Sequence, residues 1–382
     1  MDLDLDLDLD AFPPIVVDNG SSTCRAGFAG DDAPSSVFSN VIGRRRHEIG
    51  FNSNNYIGDE AQDKRELLTL NYPMEHGIVV NWDNMEKIWN HMFHSELRIS
   101  PPDHPMLFSE PPFNPKGNRE KLIQVMFETY QVPAFHLAFE AALCLMSLGR
   151  NCGTILNIGD GCTYVASFWE SYTPLHSVKR HDFGGKDLTR YLQHLLYKKG
   201  YSFTTSSELE IVREIKEQLC SLTPHKNSQT ILEPTLGREK KFKLPDGTNV
   251  TIDQEQHACP ETLFVPDGVF NRSRESIADM VHNSVMACEL STRRDIYNSI
   301  LLCGGSTFFP GLRERLHAEL VERKCWGNEA SVRIRVIDTP ERKYHVWIGG
   351  SIQASLSTFM RCWITKKEYE EYGPQILLRK CK

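Results

Sequence analysis

Two glycine-containing turns carry acidic and small hydroxyl side chains. The first is Asp18-Asn19-Gly20 in "PPIVVDNGSSTCRAGF", and the second, Gly159-Asp160-Gly161, interrupts the apolar run "GTILNIGDGCTYVASF". Because glycine has no Cβ, the backbone amides of such turns can approach an anion closely. A carboxylate beside a phosphate is favourable only when a cation lies between them. Hairpins also need glycine, so these residues leave open both a nucleotide phosphate site and two ordinary hairpins.

The same segments indicate the elements that would position these turns. Each reads as strand, tight turn and strand, and the second repeats this plan about 140 residues after the first. A third glycine turn, in "SILLCGGSTFFPG" at 299–311, follows another apolar strand. Helical periodicity alternates with these strands, which predicts an α/β protein with mixed sheets. The predicted helices are Asn84–Ser95, Arg119–Tyr130, Glu140–Leu148, Lys186–Lys198, Ser207–Ser221, Ser276–Cys288, Pro310–Arg323 and Ser351–Phe359.

Length and composition restrict the class of protein. A chain of 382 residues exceeds one ordinary hydrophobic core, so at least two lobes are expected. Hydrophobic residues at 40% and charged residues at 24% are typical of soluble globular proteins, and the net charge of −7 argues against a general nucleic-acid binder. No apolar run approaches the ~20 residues of a membrane span. The eleven cysteines lack metal-site spacing, which favours reduced thiols in the cytosol or nucleus.

The chain starts with the low-complexity segment "MDLDLDLDLD". Its five carboxylates repel one another, which favours a mobile acidic tail. The alternative is an acidic handle for a basic partner, whose attraction would weaken with salt.

The chain contains, in this order, the segments "GFAGDDAP" (27–34), "YIGDEAQDKR" (56–65), "YPMEHGIVVNWDNMEKIW" (72–89), "NPKGNREK" (114–121), "GYSFTT" (200–205), "EIVREIKEQLC" (210–220), "LPDG" (244–247), "PERKYHVWIGGSIQASLSTF" (340–359) and "RKC" (379–381). Through these segments it resembles actin along nearly its whole length. The resemblance implies an actin-like ATPase fold, in which two duplicated α/β lobes form four subdomains around a central nucleotide cleft. It implies subdomain 1 at 1–39, 73–147 and 345–382, subdomain 2 at 40–72, subdomain 3 at 148–183 and 273–344, and subdomain 4 at 184–272.

The resemblance also implies a site for ATP or ADP with Mg²⁺ or Ca²⁺. Arg25 stands where the family has a lysine, and Phe309 where it usually has a tyrosine. An arginine keeps the charge, but its planar head requires a different geometry. The positions that match the phosphate loops are Gly20, Ser21, Ser22, Thr23, Arg25, Gly159, Asp160 and Gly161, and those that match the base and ribose pocket are Arg213, Lys216, Glu217, Gly304, Gly305, Phe309 and Lys343.

The catalytic positions depart from the family pattern. The turn Gly-Ser-Gly is here Gly20-Ser21-Ser22, and Glu140 replaces the glutamine that orients the attacking water. Asn157 replaces an aspartate that holds the hydrated cation together with Asp18, and Tyr164 replaces a histidine of the water network. We hypothesise that the carboxylate missing at 157 has been exchanged for the one at Glu140, so that Asp18, Glu140 and Asn157 would hold the cation through water. The resemblance therefore implies at most a weak ATPase, or alternatively nucleotide kept only as structural filler.

Two surface loops depart from the family's subunit contacts. The loop at 43–61 is four residues shorter than its actin counterpart, and the loop at 265–277 carries Arg272 and Arg274 in place of a largely apolar plug. Charged loops are costly to desolvate in an interface. Weaker self-association than in conventional actin is therefore expected.

Three functions remain open from the sequence. The first is a polymerising, actin-like cytoskeletal subunit, and the second a non-polymerising scaffold subunit of a motor-activating, ciliary or chromatin-remodelling assembly. The third, more remote, is a sugar-kinase-like or chaperone-like ATPase, because those families share the duplicated-lobe cleft. The expected partners are actin or actin-related subunits and actin-binding or complex-specific proteins, without direct nucleic-acid binding or membrane insertion. The expected location is the cytoplasm and cytoskeleton, with the nucleus or cilium as alternatives.

Overall fold

The computed structural model describes residues 12–45, 55–223, 239–266, 274–323 and 333–381. The acidic first segment, residues 46–54 of the shortened loop and Arg272 lie outside the described residues. The chain forms two compact units: unit 1 comprises Met1–Arg150 and Lys343–Lys382, and unit 2 comprises Asn151–Arg342. The finer division into four subdomains stays a prediction.

Strands and helices alternate in the described part of both units, which confirms the predicted α/β class. The strands are β1 (Ile15–Asn19), β2 (Thr23–Phe28), β3 (Ser36–Ser39), β4 (Ile42–Arg45), β5 (Tyr56–Ile57), β6 (Leu68–Asn71), β7 (Met74–Glu75), β8 (Ile78–Val79), β9 (Met106–Glu110), β10 (Ala134–Phe139), β11 (Gly153–Ile158), β12 (Thr163–Phe168), β13 (Lys179–His181), β14 (Lys240–Lys243), β15 (Asn249–Ile252), β16 (Ile300–Cys303), β17 (Val336–Ile337) and β18 (Ile364–Thr365). The α-helices are α1 (Asp59–Asp63), α2 (Trp82–His91), α3 (Lys116–Gln124), α4 (Glu140–Ser147), α5 (Gly185–Lys198), α6 (Ser206–Leu219), α7 (Glu255–Glu261), α8 (Ile277–Met286), α9 (Arg293–Tyr297), α10 (Leu312–Glu322), α11 (His345–Ser355), α12 (Lys366–Tyr372) and α13 (Leu377–Lys380).

The main sheets of the two units share one plan. Their strand orders are β18-β10-β9-β1-β2-β3 in unit 1 and β13-β12-β11-β16-β17 in unit 2. In unit 1, β1, β2 and β3 are antiparallel neighbours, and β9 and β10 extend the sheet parallel to β1. In unit 2, β11, β12 and β13 are likewise antiparallel, and β16 and β17 run parallel to β11. This shared order confirms the duplicated core that the repeated segment predicts.

Helix α11 packs closely on the sheet of unit 1. The indole Nε1 of Trp347 donates a hydrogen bond to the Val16 carbonyl at 3.0 Å, which ties this helix to β1. A Cβ at Gly349 would overlap the carbonyl of Leu143 and lie 2.8 Å from its Cα, so glycine allows α11 to approach α4. The helix begins at His345 rather than at the predicted Ser351. The prediction was wrong there because paired glycines in a sequence resemble a helix breaker.

Unit 2 contains a chain of ion pairs that links three helices. Arg315 on α10 is buried and donates to Glu261 of α7 at 2.6 Å and to Glu319 at 2.9 Å. Glu319 also pairs with Arg323, which contacts Asp279 of α8 at 2.6 Å. Because buried charges are favourable only when paired and hydrogen-bonded, this series of ion pairs holds α7, α8 and α10 together.

Three smaller sheets complete the described fold, one of which is the two-stranded pair of β7 and β8 in unit 1. In unit 1, β5, β4 and β6 form a three-stranded sheet over a cluster of Val41, Ala61, Leu68 and Leu70. In unit 2, β14 and β15 form a hairpin. Nowhere in the described ranges is there a helix with the length and apolar character needed to cross a membrane.

Candidate functional site

The carboxyl edge of the unit 1 sheet brings together two of the predicted site residues. Strands β1, β9 and β10 are parallel, so their C-terminal ends share one edge. Asp18 lies near the end of β1, and Glu140 is the first residue of α4, directly after β10. Two strand spacings separate these positions by roughly 10 Å. Ligands of α/β sheets bind at this kind of edge, so both carboxylates are in a suitable place.

Asp18 is held by two protein donors. Its side chain is 6% exposed, and the residue belongs to β1, rather than to the turn where the sequence predicted it. One carboxylate oxygen accepts a hydrogen bond from Arg25 Nη1 at 2.6 Å, and the other accepts one from Ser109 Oγ at 2.9 Å. Ser109 was not found from the sequence, because only the parallel register of β1 and β9 places it beside Asp18. Both oxygens of Asp18 are therefore engaged within unit 1.

Arg25 lies at the base of the first glycine turn. It is the cross-strand partner of Asp18 in the β1–β2 hairpin. A Cβ on Gly20 would lie 3.6 Å from Arg25 Nη1, so the turn passes close to the guanidinium. Arg25 Cζ is 5.9 Å from the centroid of the Tyr344 ring, and Lys343 Nζ is 5.0 Å from the same centroid. In unit 1, two cations thus lie around one aromatic ring, although the resemblance assigns Arg25 to the phosphates and Lys343 to the base of a nucleotide.

The two predicted phosphate turns have the same hydrogen-bonded geometry. The Gly20 amide donates to the Thr23 carbonyl at 3.1 Å, and the Gly159 amide donates to the Cys162 carbonyl at 3.0 Å. In the flanking strands Asp18 pairs with Arg25, and Asn157 pairs with Tyr164. Asp18 and Asn157 therefore occupy equivalent positions in the duplicated plan, as do Arg25 and Tyr164.

Neighbouring segments hold the first turn in place. The Ser21 hydroxyl accepts a hydrogen bond from the Gly77 amide at 3.0 Å. Asn40 donates from its side chain to the Gly20 carbonyl and from its backbone to the Ser22 carbonyl, both at 2.8 Å. The turn is thus anchored on its outer side. Its shape is set before any ligand binds.

In unit 2, the glycine turn after β16 packs directly on the end of β11. Gly304 adopts φ 88° and ψ 155°, a region that side chains strongly disfavour. A Cβ there would overlap the Asn157 side-chain oxygen and the Ile158 carbonyl oxygen, and would lie 2.7 Å from the carbonyl carbon of Ile158. The neighbouring Gly305 has nothing within 4 Å of its Cβ direction. Glycine is therefore required at 304 by packing, whereas 305 lies beside open space.

The turn after β11 is locked to the start of α5. The Gly159 carbonyl accepts hydrogen bonds from the Gly185 amide at 2.9 Å and the Ser306 hydroxyl at 3.0 Å. The Asp160 carbonyl accepts one from the Lys186 amide at 2.9 Å. Hydrogen bonds therefore connect both glycine turns of unit 2 and the N-terminus of α5.

Helix α6 contributes Lys216 to the same region. Lys216 is 3% exposed, and its ammonium group donates to the Gly185 carbonyl at 2.7 Å and to the Thr189 hydroxyl at 2.9 Å. Arg213 on this helix pairs with Glu210 at 2.7 Å, and Glu217 is exposed. Lys216 thus supports the α5 end of the turn. Its role in binding a base or ribose, like those of Arg213 and Glu217, stays a prediction.

The aromatic residues after Gly305 are placed differently from one another. Phe309 is buried in the core of unit 2, whereas Phe308 is 42% exposed. The Arg342 guanidinium stacks on the Phe308 ring at 3.7 Å and donates to the Thr307 hydroxyl and the Thr339 carbonyl. Burial lowers the pKa of Arg342. Sequence matching selected Phe309 and missed this cation–ring pair, although the repeated aromatic "FF" was a signal.

Tyr164, a predicted catalytic residue, is completely buried in β12. It lies opposite Asn157 in the antiparallel pair, so both side chains are on one face of the unit 2 sheet. The structure thus brings these two predicted residues together. Catalytic roles for Tyr164 and Glu140 stay predictions.

The described residues do not fit a cation bound directly by carboxylates. Within these ranges there is no cluster of three or more His, Cys, Asp or Glu side chains arranged to hold a metal ion. Asp18 is already engaged by Arg25 and Ser109, and Asn157 supplies a neutral amide. A hard divalent cation prefers charged oxygen ligands. Binding of a hydrated cation through water at Asp18, Glu140 and Asn157 stays a prediction.

Comparison of the chain with models of known protein families finds a match to Actin over residues 9–382. The match covers nearly the whole chain, including all of unit 2 and unit 1 from residue 9 onward.

Proposed function

Because the chain belongs to the actin family and has its mixed α/β architecture, we propose that it is a divergent actin-like cytoskeletal subunit that binds ATP or ADP. The observation that carries this proposal is the pair of equivalent glycine turns, each closing the first hairpin of a sheet with the same strand order. The match over residues 9–382 favours this function over a sugar-kinase-like or chaperone-like ATPase. Actin-related subunits are the partners, and the cytoskeleton is the location, that family membership supports.

The site residues suit a polyphosphate and a purine nucleoside. In unit 1 the turn at Gly20 and the cations Arg25 and Lys343 offer amides and positive charge to an anion. In unit 2 the turns at Gly159 and Gly304 are held by hydrogen bonds, and Gly305 lies beside open space, as close approach by a ligand requires. Each unit therefore supplies a set of donors of the kind that the family uses for its nucleotide.

We propose that ATP hydrolysis is slow or impaired. Glu140 follows β10 at the carboxyl edge, where its negative charge opposes a polyphosphate. A carboxylate can accept a proton from water, which a glutamine cannot, but it cannot donate a hydrogen bond to that water as an amide does. Tyr164 places a buried phenol where an imidazole would exchange protons near neutral pH. These changes alter the attacking water's surroundings more than the binding of the base.

The first prediction is that the purified protein carries adenine nucleotide and is stabilised by it. A ligand at 100 times its Kd stabilises the folded state by about 2.7 kcal/mol, which raises Tm by roughly 4 °C or more. Thermal melting with ATP measures this stabilisation, and tripolyphosphate serves as a control ligand that lacks the base. In a separate assay, the unmodified protein should release phosphate from ATP more slowly than the Glu140→Gln variant. The proposal fails if no nucleotide co-purifies and Tm does not change.

A second candidate function, a non-polymerising scaffold subunit of a larger assembly, is favoured by the position of Arg274. Its guanidinium lies 3.5 Å from the centroid of the buried Phe183 ring in unit 2. Such cation–π contacts contribute about 0.5–2 kcal/mol. The described end of the loop at 265–277 is therefore attached to its own unit by a charged residue. An apolar plug for a neighbouring subunit would need the opposite chemistry.

The second prediction separates these two functions by sedimentation under polymerising salt. The unmodified protein should stay largely in the supernatant, and the Arg272→Leu/Arg274→Leu double variant should pellet more because desolvation of the loop costs less. Arg190→Leu, which removes an exposed arginine elsewhere in unit 2, is the matched control and should not change pelleting. Assembly of the unmodified protein at low micromolar concentration would exclude the scaffold function.

A further inference from the structure

We infer that Arg25 replaces the divalent cation as the partner of Asp18, so that unit 1 binds the nucleotide's phosphates with little dependence on Mg²⁺ or Ca²⁺. This inference rests on the proposed function, since it concerns how the same nucleotide is held. It differs from the expectation of a hydrated cation at Asp18.

The first step is the state of the Asp18 carboxylate. Arg25 and Ser109 each occupy one of its oxygens, at 2.6 and 2.9 Å. The side chains of Arg25 and Asp18 are 15% and 6% exposed, so this charge-assisted pair lies mostly out of water. A carboxylate in such a setting requires a counter-charge. The guanidinium already provides it.

The second step is what a metal ion would meet at this edge. To bind Asp18 it would have to displace the guanidinium or lie next to it, and the two positive charges would repel each other. The neighbouring acid at the end of β9, Glu110, is paired with Arg119 at 2.9 Å and accepts a hydrogen bond from Asn114 at 3.1 Å. Asp18 in β1 and Glu110 at the end of β9 are thus both neutralised by arginine. The ends of β1 and β9 therefore offer a cation little net negative charge.

The third step is what Arg25 offers to a phosphate. Its guanidinium has five N–H donors; Nη1 donates to Asp18, and Nε is buried without a hydrogen-bond partner among the described residues. The glycine turn lies next to it, since a Cβ on Gly20 would be 3.6 Å from Nη1. A planar guanidinium can contact a carboxylate and a phosphate at the same time, whereas the ammonium group of a lysine is a point charge and is less suited to making both contacts. Arg25 can therefore lie between carboxylate and phosphate, which is otherwise the position of the metal.

The test is the equilibrium affinity for a fluorescent ADP analogue, measured with MgCl₂ and with excess EDTA. For the unmodified protein, Kd should change by less than about 3-fold between the two buffers, because the guanidinium supplies the charge. For Arg25→Lys, EDTA should weaken binding by about 10-fold or more, because the ammonium neutralises Asp18 and phosphate less effectively. Arg119→Lys is the matched control: it changes the same residue type in a similar ion pair, whose side chains are 18% and 12% exposed, away from Asp18. It should behave like the unmodified protein.

Asp18→Asn gives an independent measurement if Arg25→Lys does not fold, as judged by its melting curve. This variant should bind ADP more tightly in both buffers, because the Arg25 guanidinium then has only the phosphate as its anionic partner, whereas loss of a metal-bound carboxylate would weaken binding in MgCl₂ by about 10-fold or more. If EDTA weakens binding to the unmodified protein as much as binding to Arg25→Lys, the inference is overturned and the proposed function is left intact. Absence of binding in both buffers would overturn both.

Discussion

Gly304→Ala should lower the free energy of unfolding of unit 2 by about 3 kcal/mol or more and abolish nucleotide binding. The backbone at Gly304 is in a region that is almost restricted to glycine, which costs another residue about 1–3 kcal/mol. The added Cβ would also overlap oxygen atoms of Asn157 and Ile158. Overpacking of this kind costs about a further 1–3 kcal/mol. Relief of the overlap would have to move the end of β11, which carries the turn at Gly159.

Gly305→Ala is the matched control for this prediction. Its Cβ has no neighbour within 4 Å, and its φ is not positive. We expect its stability to stay within about 0.5 kcal/mol of the unmodified protein, as for substitutions without steric conflict. Urea unfolding followed by circular dichroism measures both variants. Equal losses of stability in Gly304→Ala and Gly305→Ala would show that the close packing of Gly304 on the end of β11 is not the cause.

Arg315→Met should lower the free energy of unfolding by about 3–5 kcal/mol, the usual cost of removing one member of a buried ion pair. Methionine keeps much of the apolar stem of arginine, so the loss reports mainly the charge. The change leaves Glu261 without its 2.6 Å partner and Glu319 with Arg323 alone. Arg313→Met on the same helix is the control. The Arg313 side chain, which pairs with Asp338, is 53% exposed. Removal of this ion pair should lower the free energy of unfolding by less than about 1 kcal/mol.

The effect of Arg315→Met should depend on pH. Burial raises the pKa of the Glu319 carboxyl, but hydrogen bonds from Arg323 and Arg315 outweigh it and hold that pKa below its ordinary value. A lowered pKa stabilises the folded state above the unfolded pKa of about 4.3, and this stabilisation is lost as pH falls through the folded pKa. The difference between variant and unmodified protein should thus be largest near neutral pH and shrink below about pH 5. A difference that stays constant down to acidic pH would exclude the carboxylate as its origin.

The fold class and the duplicated turns could be predicted from the sequence because their signals are local. The helix predicted at Lys186–Lys198 is observed at Gly185–Lys198, since amphipathic periodicity acts over a few residues. The two strand–turn–strand segments are hairpins with equivalent turn hydrogen bonds. Neighbouring residues alone specify such turns. The sequence also identified the residue types at the candidate site, although not their contacts.

The tertiary structure decided where distant segments meet. Helix α11 begins at His345 because Gly349 allows it to approach α4, a contact that helix propensity cannot indicate. Asp18 was recognised as a candidate ligand, yet the Ser109 hydroxyl that occupies one of its oxygens is 91 residues away in the chain. Its other partner, Arg25, is seven residues away and follows from the hairpin register. Local rules determine which residues occupy a turn, whereas strand register and close helix packing determine which charges are already neutralised when a ligand arrives.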